Sequence, residues 1–120
     1  MRLSLIIPTV ERPEALRRLL TSLTLQTELA DEIIIVDQGD SAASVVEAFS
    51  TLRINHLRLT ERSLTKARNV GIAATTGDVV GFLDDDCVLE STYVARIKAF
   101  FSTHPSALGV QGLITNFAEG

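Results

Sequence analysis

Short apolar runs alternate with amphipathic stretches along almost the whole chain, and the period of each run defines an element. Leu3–Ile7, apolar apart from Ser4, and the continuous apolar run Ile33–Val36 have the pattern of strands buried on both faces of a parallel sheet. Between them Pro13 suits the first turn of a helix. Leu16, Leu19, Leu20 and Leu23 then recur at i, i+3, i+4 and i+7, which predicts a helix running to about Gln26. Ser41 is positioned to cap a helix carrying Val45, Val46 and Phe49. Ile54 to Leu59 alternates imperfectly and reads as a more exposed third strand. Ser63 or Thr65 starts a helix through Ala67, Val70, Gly71 and Ala74, stopped by Thr76-Gly77-Asp78. Val79 to Leu83 is a fourth strand, followed by a helix with Tyr93, Val94, Ile97, Phe100 and Phe101 that ends near His104-Pro105. Leu108 to Ile114 supplies a fifth strand, weakened by Gly109 and Gly112.

Strands alternating with helical stretches of this length predict an α/β fold of three layers, Rossmann-like and mostly parallel. Right-handed crossovers make the strand order 3-2-1-4, with the fifth strand added. The first and fourth strands are then neighbours at the reversal point, where a crevice opens beyond the carboxyl ends of the strands. Pro8-Thr9, Asp37-Gln38 and Asp84–Asp86 are expected to line it.

The bulk numbers narrow the function classes. The 120 residues suffice for one domain with one core. A net charge of −4, with Arg17-Arg18 the only adjacent basic pair, provides no footprint for nucleic acid. The apolar runs fall far short of the roughly 20 residues a transmembrane segment needs. Cys87 is the single cysteine, so an internal disulfide is excluded and a reducing, cytoplasmic setting is expected. Cys87 reads as a small buried hydrophobe rather than a soft metal ligand.

The chemistry concentrates in Gly81-Phe82-Leu83-Asp84-Asp85-Asp86-Cys87, an apolar strand that ends in three consecutive carboxylates. Such acids repel one another by roughly 1–4 kcal/mol per close pair at a protein surface. A hard divalent cation, bridging carboxylates to substrate phosphates, relieves that repulsion; the alternative is a solvated acidic turn. If strand geometry persists, Asp84 and Asp86 share a side while Asp85 points away, so an ion meets at most two of them. Arg68, early in the helix after the third strand, suits a phosphate, a base edge or a surface ion pair. There is no Gly-x-x-x-x-Gly-Lys-Ser/Thr loop and no Gly-x-Gly-x-x-Gly fingerprint. His56 and His104 sit apart and read as incidental.

Four blocks together resemble the nucleotide-binding half of a family 2 glycosyltransferase with the GT-A fold. They are Leu5-Ile6-Ile7-Pro8-Thr9 with Arg12; Gln26 followed by Glu32-Ile33-Ile34-Ile35-Val36-Asp37; Ala67-Arg68-Asn69-Val70-Gly71-Ile72; and Thr76-Gly77-Asp78 running to Leu83-Asp84-Asp85-Asp86. The resemblance implies an inverting transfer of sugar from a UDP-, GDP- or dTDP-sugar to a saccharide, lipid-carrier or protein acceptor. It implies Mn²⁺ or Mg²⁺ on Asp86 and nucleotide contacts from Pro8, Thr9, Glu11, Asp37, Arg68, Asp84 and Asp85. Gln38 stands where the family usually has a second acid, which leaves the choice of nucleotide open.

Members of the family continue beyond a stretch of this size, so residues 1–120 are expected to form an incomplete GT-A domain. The catalytic base is expected beyond Gly120, and the isolated chain is expected to be inactive. Homodimerisation through the fifth strand and a peripheral position at the membrane in the full-length protein are further expectations. A noncatalytic nucleotide- or partner-binding module of the same fold is the alternative. A receiver-like signalling domain is disfavoured because the first strand ends in Pro8-Thr9 rather than an acidic pair.

Overall fold

The computed structural model describes residues 1–104; the predicted fifth strand, 108–114, lies outside them. The elements follow the order β1 (Leu3–Thr9), α1 (Pro13–Thr24), β2 (Glu32–Asp37), α2 (Ala42–Glu47), β3 (Ile54–Arg58), α3 (Leu64–Ala74), β4 (Val79–Phe82) and α4 (Tyr93–Thr103). Among the described residues the strands form one sheet, β3-β2-β1-β4, and every pairing is parallel. The predicted order is the observed one.

Alternation along β1 divides the core in two. Leu3, Leu5 and Ile7 point with Ile33 and Ile35 toward α1, α2 and α4, where Leu16, Leu19, Leu20, Leu23, Val45 and Val94 complete the larger cluster. Ile6 points the other way, with Ile34, Val36 and Ala67 of α3. Each fully buried Leu or Ile contributes roughly 1.5–3 kcal/mol, so these strands hold both layers of helices. Gly71 lets α3 approach β1 closely, since a Cβ there would lie 2.5 Å from Ile6 Cγ2. Gly71→Ala should therefore lower the unfolding free energy by about 1–3 kcal/mol, because Ile6 is enclosed and must shift. Urea titration of the variant measures this, and an unchanged midpoint would refute it.

The beginnings of the strands are fastened by polar side chains. Ser4 Oγ donates to Glu32 Oε1 at 2.7 Å and accepts from Gly77 N. Glu32 also takes the Thr76 amide and hydroxyl, and Asp78 takes the Arg2 amide. Thr76-Gly77-Asp78 thus secures the entry of β4 beside β1 and β2, at the end of the sheet opposite the acidic triplet.

Several local expectations change in detail. The first helix ends at Thr24, and Gln26 is a buried clamp instead: its Nε2 donates to Ser22 O and Glu90 O, and its Oε1 accepts from Val94 N at the start of α4. Ser41 makes no side-chain cap on α2. Glu11 does the work from 30 residues away, accepting from the amides of Asp40 and Ser41. Ser63 does cap α3, accepting from Lys66 N at 3.2 Å. No helix of the described residues is long and apolar enough to cross a membrane.

Candidate functional site

The carboxyl ends of β1 and β2, the approach to α3 and the turn after β4 enclose a cleft of about 430 Å³. Its walls are Pro8, Thr9, Val10 and Arg12 on one side, Gln38, Arg62, Ser63 and Leu64 on another, and Asp84, Asp85 and Asp86 at the end. It lies at the reversal point of the sheet, where β4 joins β1 on the side away from β2.

The acidic turn has two faces. Cys87 N donates to Asp84 O at 3.2 Å, which closes a tight turn directly after the strand. Asp84 and Asp86 emerge exposed, and their oxygens and Cys87 Sγ lie within 4.8 Å of one another. Asp85 turns inward and is buried. Its Oδ2 accepts from Thr9 Oγ1 at 2.9 Å, and its Oδ1 lies 3.1 Å from Arg12 Nη1. Burial pushes the Asp85 carboxyl above its usual range; Thr9 and then Arg12 oppose that shift, while Asp86 and Asp84 add to it. The alternation expected of a strand therefore survives, although a turn produces it.

A hard divalent ion fits this donor set better than a soft one. Cys87 belongs to the core cluster, and burial, followed by the neighbouring acids, pushes its thiol up against a single opposing backbone hydrogen bond. A protonated thiol is a poor ligand. Two exposed carboxylates remain, the number Mg²⁺ or Mn²⁺ takes when it keeps waters and substrate phosphates as its other ligands.

Among the predicted site residues, Pro8, Thr9, Asp84, Asp85 and Asp86 meet in the cleft. Glu11, Asp37 and Arg68 are not among its walls. Glu11 holds the start of α2, which keeps its carboxyl below the usual range; the Asp40 amide is the largest cause. Asp37 is buried, accepts from Gly39 N at 2.9 Å and lies 3.0 Å from His56 Nε2. His56 is thus partnered by Asp37, a contact that depends on the register of β3 against β2. The Arg68 guanidinium sits 5.6 Å from the centre of the Phe82 ring, a cation–π distance.

Arg12 and Gln38 were singled out in the sequence without the contacts they make, and Arg62 was not singled out. Arg12 reaches both Asp85 and Asp86, Arg62 adds a second cation to the walls, and Gln38 holds the loop that carries Arg62. Gln38 Nε2 donates to Glu61 O at 2.9 Å and Ser63 O at 3.0 Å. A carboxylate could donate neither bond. Gln38 in this position is therefore suited to the loop it braces.

The fold is of the GT-A type, and the model of the family "Glycosyl transferase family 2" matches residues 4–119. The chain belongs to that family. Its relatives include the uncharacterized glycosyltransferase YwdF of Bacillus subtilis, 39% identical over 105 residues, which cover 86% of this chain and 39% of that protein. An uncharacterized glycosyltransferase of Haemophilus influenzae is 39% identical over 85 residues, 70% of this chain and 29% of that protein. Among solved structures, TarS 1–349 of S. aureus in complex with UDP-GlcNAc superposes with a TM-score of 0.81 at 25% identity, covering 93% of this chain and 37% of that one. The chain spans less than half the length of these relatives.

Proposed function

We propose that the cleft binds the nucleoside diphosphate of a sugar nucleotide, and that the protein containing it transfers the sugar to an acceptor hydroxyl with inversion. The observation that carries this reading is the divided acidic turn, with two exposed carboxylates side by side and a third bound into the wall of the cleft. Asp86, with Asp84 beside it, would hold Mn²⁺ or Mg²⁺; when bound, such an ion stabilises the charge developing on a departing diphosphate. Asp85 orients Arg12 through a charge-assisted bond and is itself held by Thr9. Pro8, Thr9 and Gln38 supply the wall against which a nucleoside lies, and Arg62 contributes positive charge to the cleft. Asp37 supports this wall by fixing the backbone at Gly39, while Arg68 lies over the Phe82 ring of β4. TarS, with UDP-GlcNAc bound, supports a UDP-sugar as the first donor to examine.

The test is thermal denaturation with UDP-, GDP-, CMP- and dTDP-sugars, each with and without Mn²⁺. One nucleotide class should raise the melting temperature only when the cation is present. At a hundred times the dissociation constant the stabilisation is about 2.7 kcal/mol, a shift of about ten degrees for a domain of this size. A panel in which no sugar nucleotide shifts the transition, with or without the cation, would overturn the reading.

A further inference from the structure

The side chain of Arg12 forks across the acidic turn, and the two limbs of the fork are unequal. Nη1 lies 3.1 Å from Asp85 Oδ1, an oxygen of a buried carboxylate whose other oxygen is held by Thr9. Nη2 lies 3.5 Å from Asp86 Oδ2, and Asp86 is 47% exposed. One limb is anchored in the wall of the cleft and the other only reaches into it. The backbone that delivers Arg12 is also constrained. Glu11 occupies the left-handed region with φ of 50°, a conformation that costs a non-glycine residue energy. It is kept there by the amides of Asp40 and Ser41 on its carboxylate. Pro13 follows directly and restricts Arg12 in turn.

We propose that Arg12 is the built-in counter-cation of the Asp84–Asp86 turn. Nη2 holds Asp86 while no divalent ion is present, yields it when the ion arrives, and then faces the diphosphate, while Nη1 stays on Asp85. This rests on the reading of Asp84 and Asp86 as ion ligands given above. The reasons are electrostatic. Three adjacent carboxylates need positive charge nearby, and a guanidinium supplies it without leaving the protein. An arriving divalent ion repels that guanidinium, and the longer, more exposed limb is the one that lets go. A guanidinium fork released on one side and fixed on the other is suited to a phosphate oxygen.

Two titrations of the 120-residue chain decide the matter: Mn²⁺ alone, followed by electron paramagnetic resonance of the free ion, and UDP in saturating Mn²⁺, followed by calorimetry. Removing a competing exposed ion pair should make Arg12→Ala bind Mn²⁺ alone about two- to fivefold tighter than wild type. The same variant should bind UDP about tenfold more weakly, as expected for loss of a charged hydrogen bond. Arg12→Lys keeps the charge and lacks the fork, so its Mn²⁺ affinity should stay near wild type while UDP binding still weakens. Weaker Mn²⁺ binding by Arg12→Ala would mean that Arg12 merely shapes the turn, and would overturn the proposal. UDP binding by Arg12→Lys at wild-type strength would overturn it as well. If wild type takes up no Mn²⁺, this inference and the ion-ligand reading fall together. If Asp86→Asn loses Mn²⁺ while Arg12→Ala binds it as wild type does, this inference falls alone.

Discussion

Asp86→Asn will remove the cation dependence of nucleotide binding while leaving the fold in place. The substitution keeps the shape of the side chain and deletes the charge on one of the two exposed carboxylates of the turn. Replacing groups that only support a metal ligand typically costs 10–100-fold in affinity, so loss of a ligand itself should weaken metal-dependent UDP binding by at least about tenfold. Stability should move little. The Arg12 limb that is lost is the long, half-exposed one, and exposed pairs contribute about 0–1 kcal/mol. Relief of carboxylate repulsion within the triplet offsets that loss. Calorimetric titration of UDP with and without Mn²⁺, in wild type and variant, reads the effect directly. Equal affinities in the presence of Mn²⁺ would remove Asp86 from the ion site.

What the sequence disclosed was what short-range pattern can disclose. The largely apolar runs of β1 and β2 required cover on both faces, and the structure supplies it: α1, α2 and α4 on one face, α3 on the other. The acids at the end of β4 lay at the crevice because right-handed crossovers leave few orders for such a sheet. Pairings between distant residues were not legible. Nothing local distinguishes Ser41, which leaves its helix uncapped, from Ser63, which caps one; the difference is Glu11, brought in by the turn after β1. Arg12 stood in the first family block, but its contacts with Asp85 and Asp86 join the loop after β1 to the turn after β4 and were not legible from either segment alone. Gln26 reads as the polar end of a helix, yet it spans to the start of α4.

The same limit governed the motif blocks. Alongside the acids that line the cleft, Glu32 and Thr76-Gly77-Asp78 carried part of the family resemblance. They lie at the opposite end of the sheet. The residues that mark the family therefore serve two separate purposes: one set builds the cleft, and the other fixes the register of the strands that present it. A shift of β4 by one residue against β1 would move Asp84 and Asp86 to the face now occupied by Asp85. The Ser4–Glu32–Thr76 cluster opposes that shift from the far end.

Glu32 shows how much depends on that cluster. Its Oε1 accepts from Ser4 Oγ at 2.7 Å and from Thr76 N at 2.6 Å, and its Oε2 accepts from Thr76 Oγ1 at 3.1 Å. Glu32→Ala strands those donors and should cost about 2–4 kcal/mol near neutral pH, given 1.5–3 kcal/mol for a hydrogen bond to a charged group and the partial exposure of the site. Burial raises the Glu32 carboxyl, but Ser4 and Thr76 outweigh it and hold the group below the ordinary value of 4.5. A carboxylate depressed on folding stabilises the protein above its unfolded value, and the contribution is lost as the pH falls through the folded one. Asp31, held below 3.8 by Lys98 and the Leu3 amide against burial, acts in the same direction. Asp85 acts in the opposite one, since its raised carboxyl takes up a proton more readily in the folded state. The gap between wild type and Glu32→Ala should therefore be full near neutrality and narrow below about pH 4.5 as Glu32 protonates. Urea unfolding of both proteins across that range measures the gap, and a difference that stays constant down to acid pH would show that the ionised form of Glu32 is not what fastens β4 to β1 and β2.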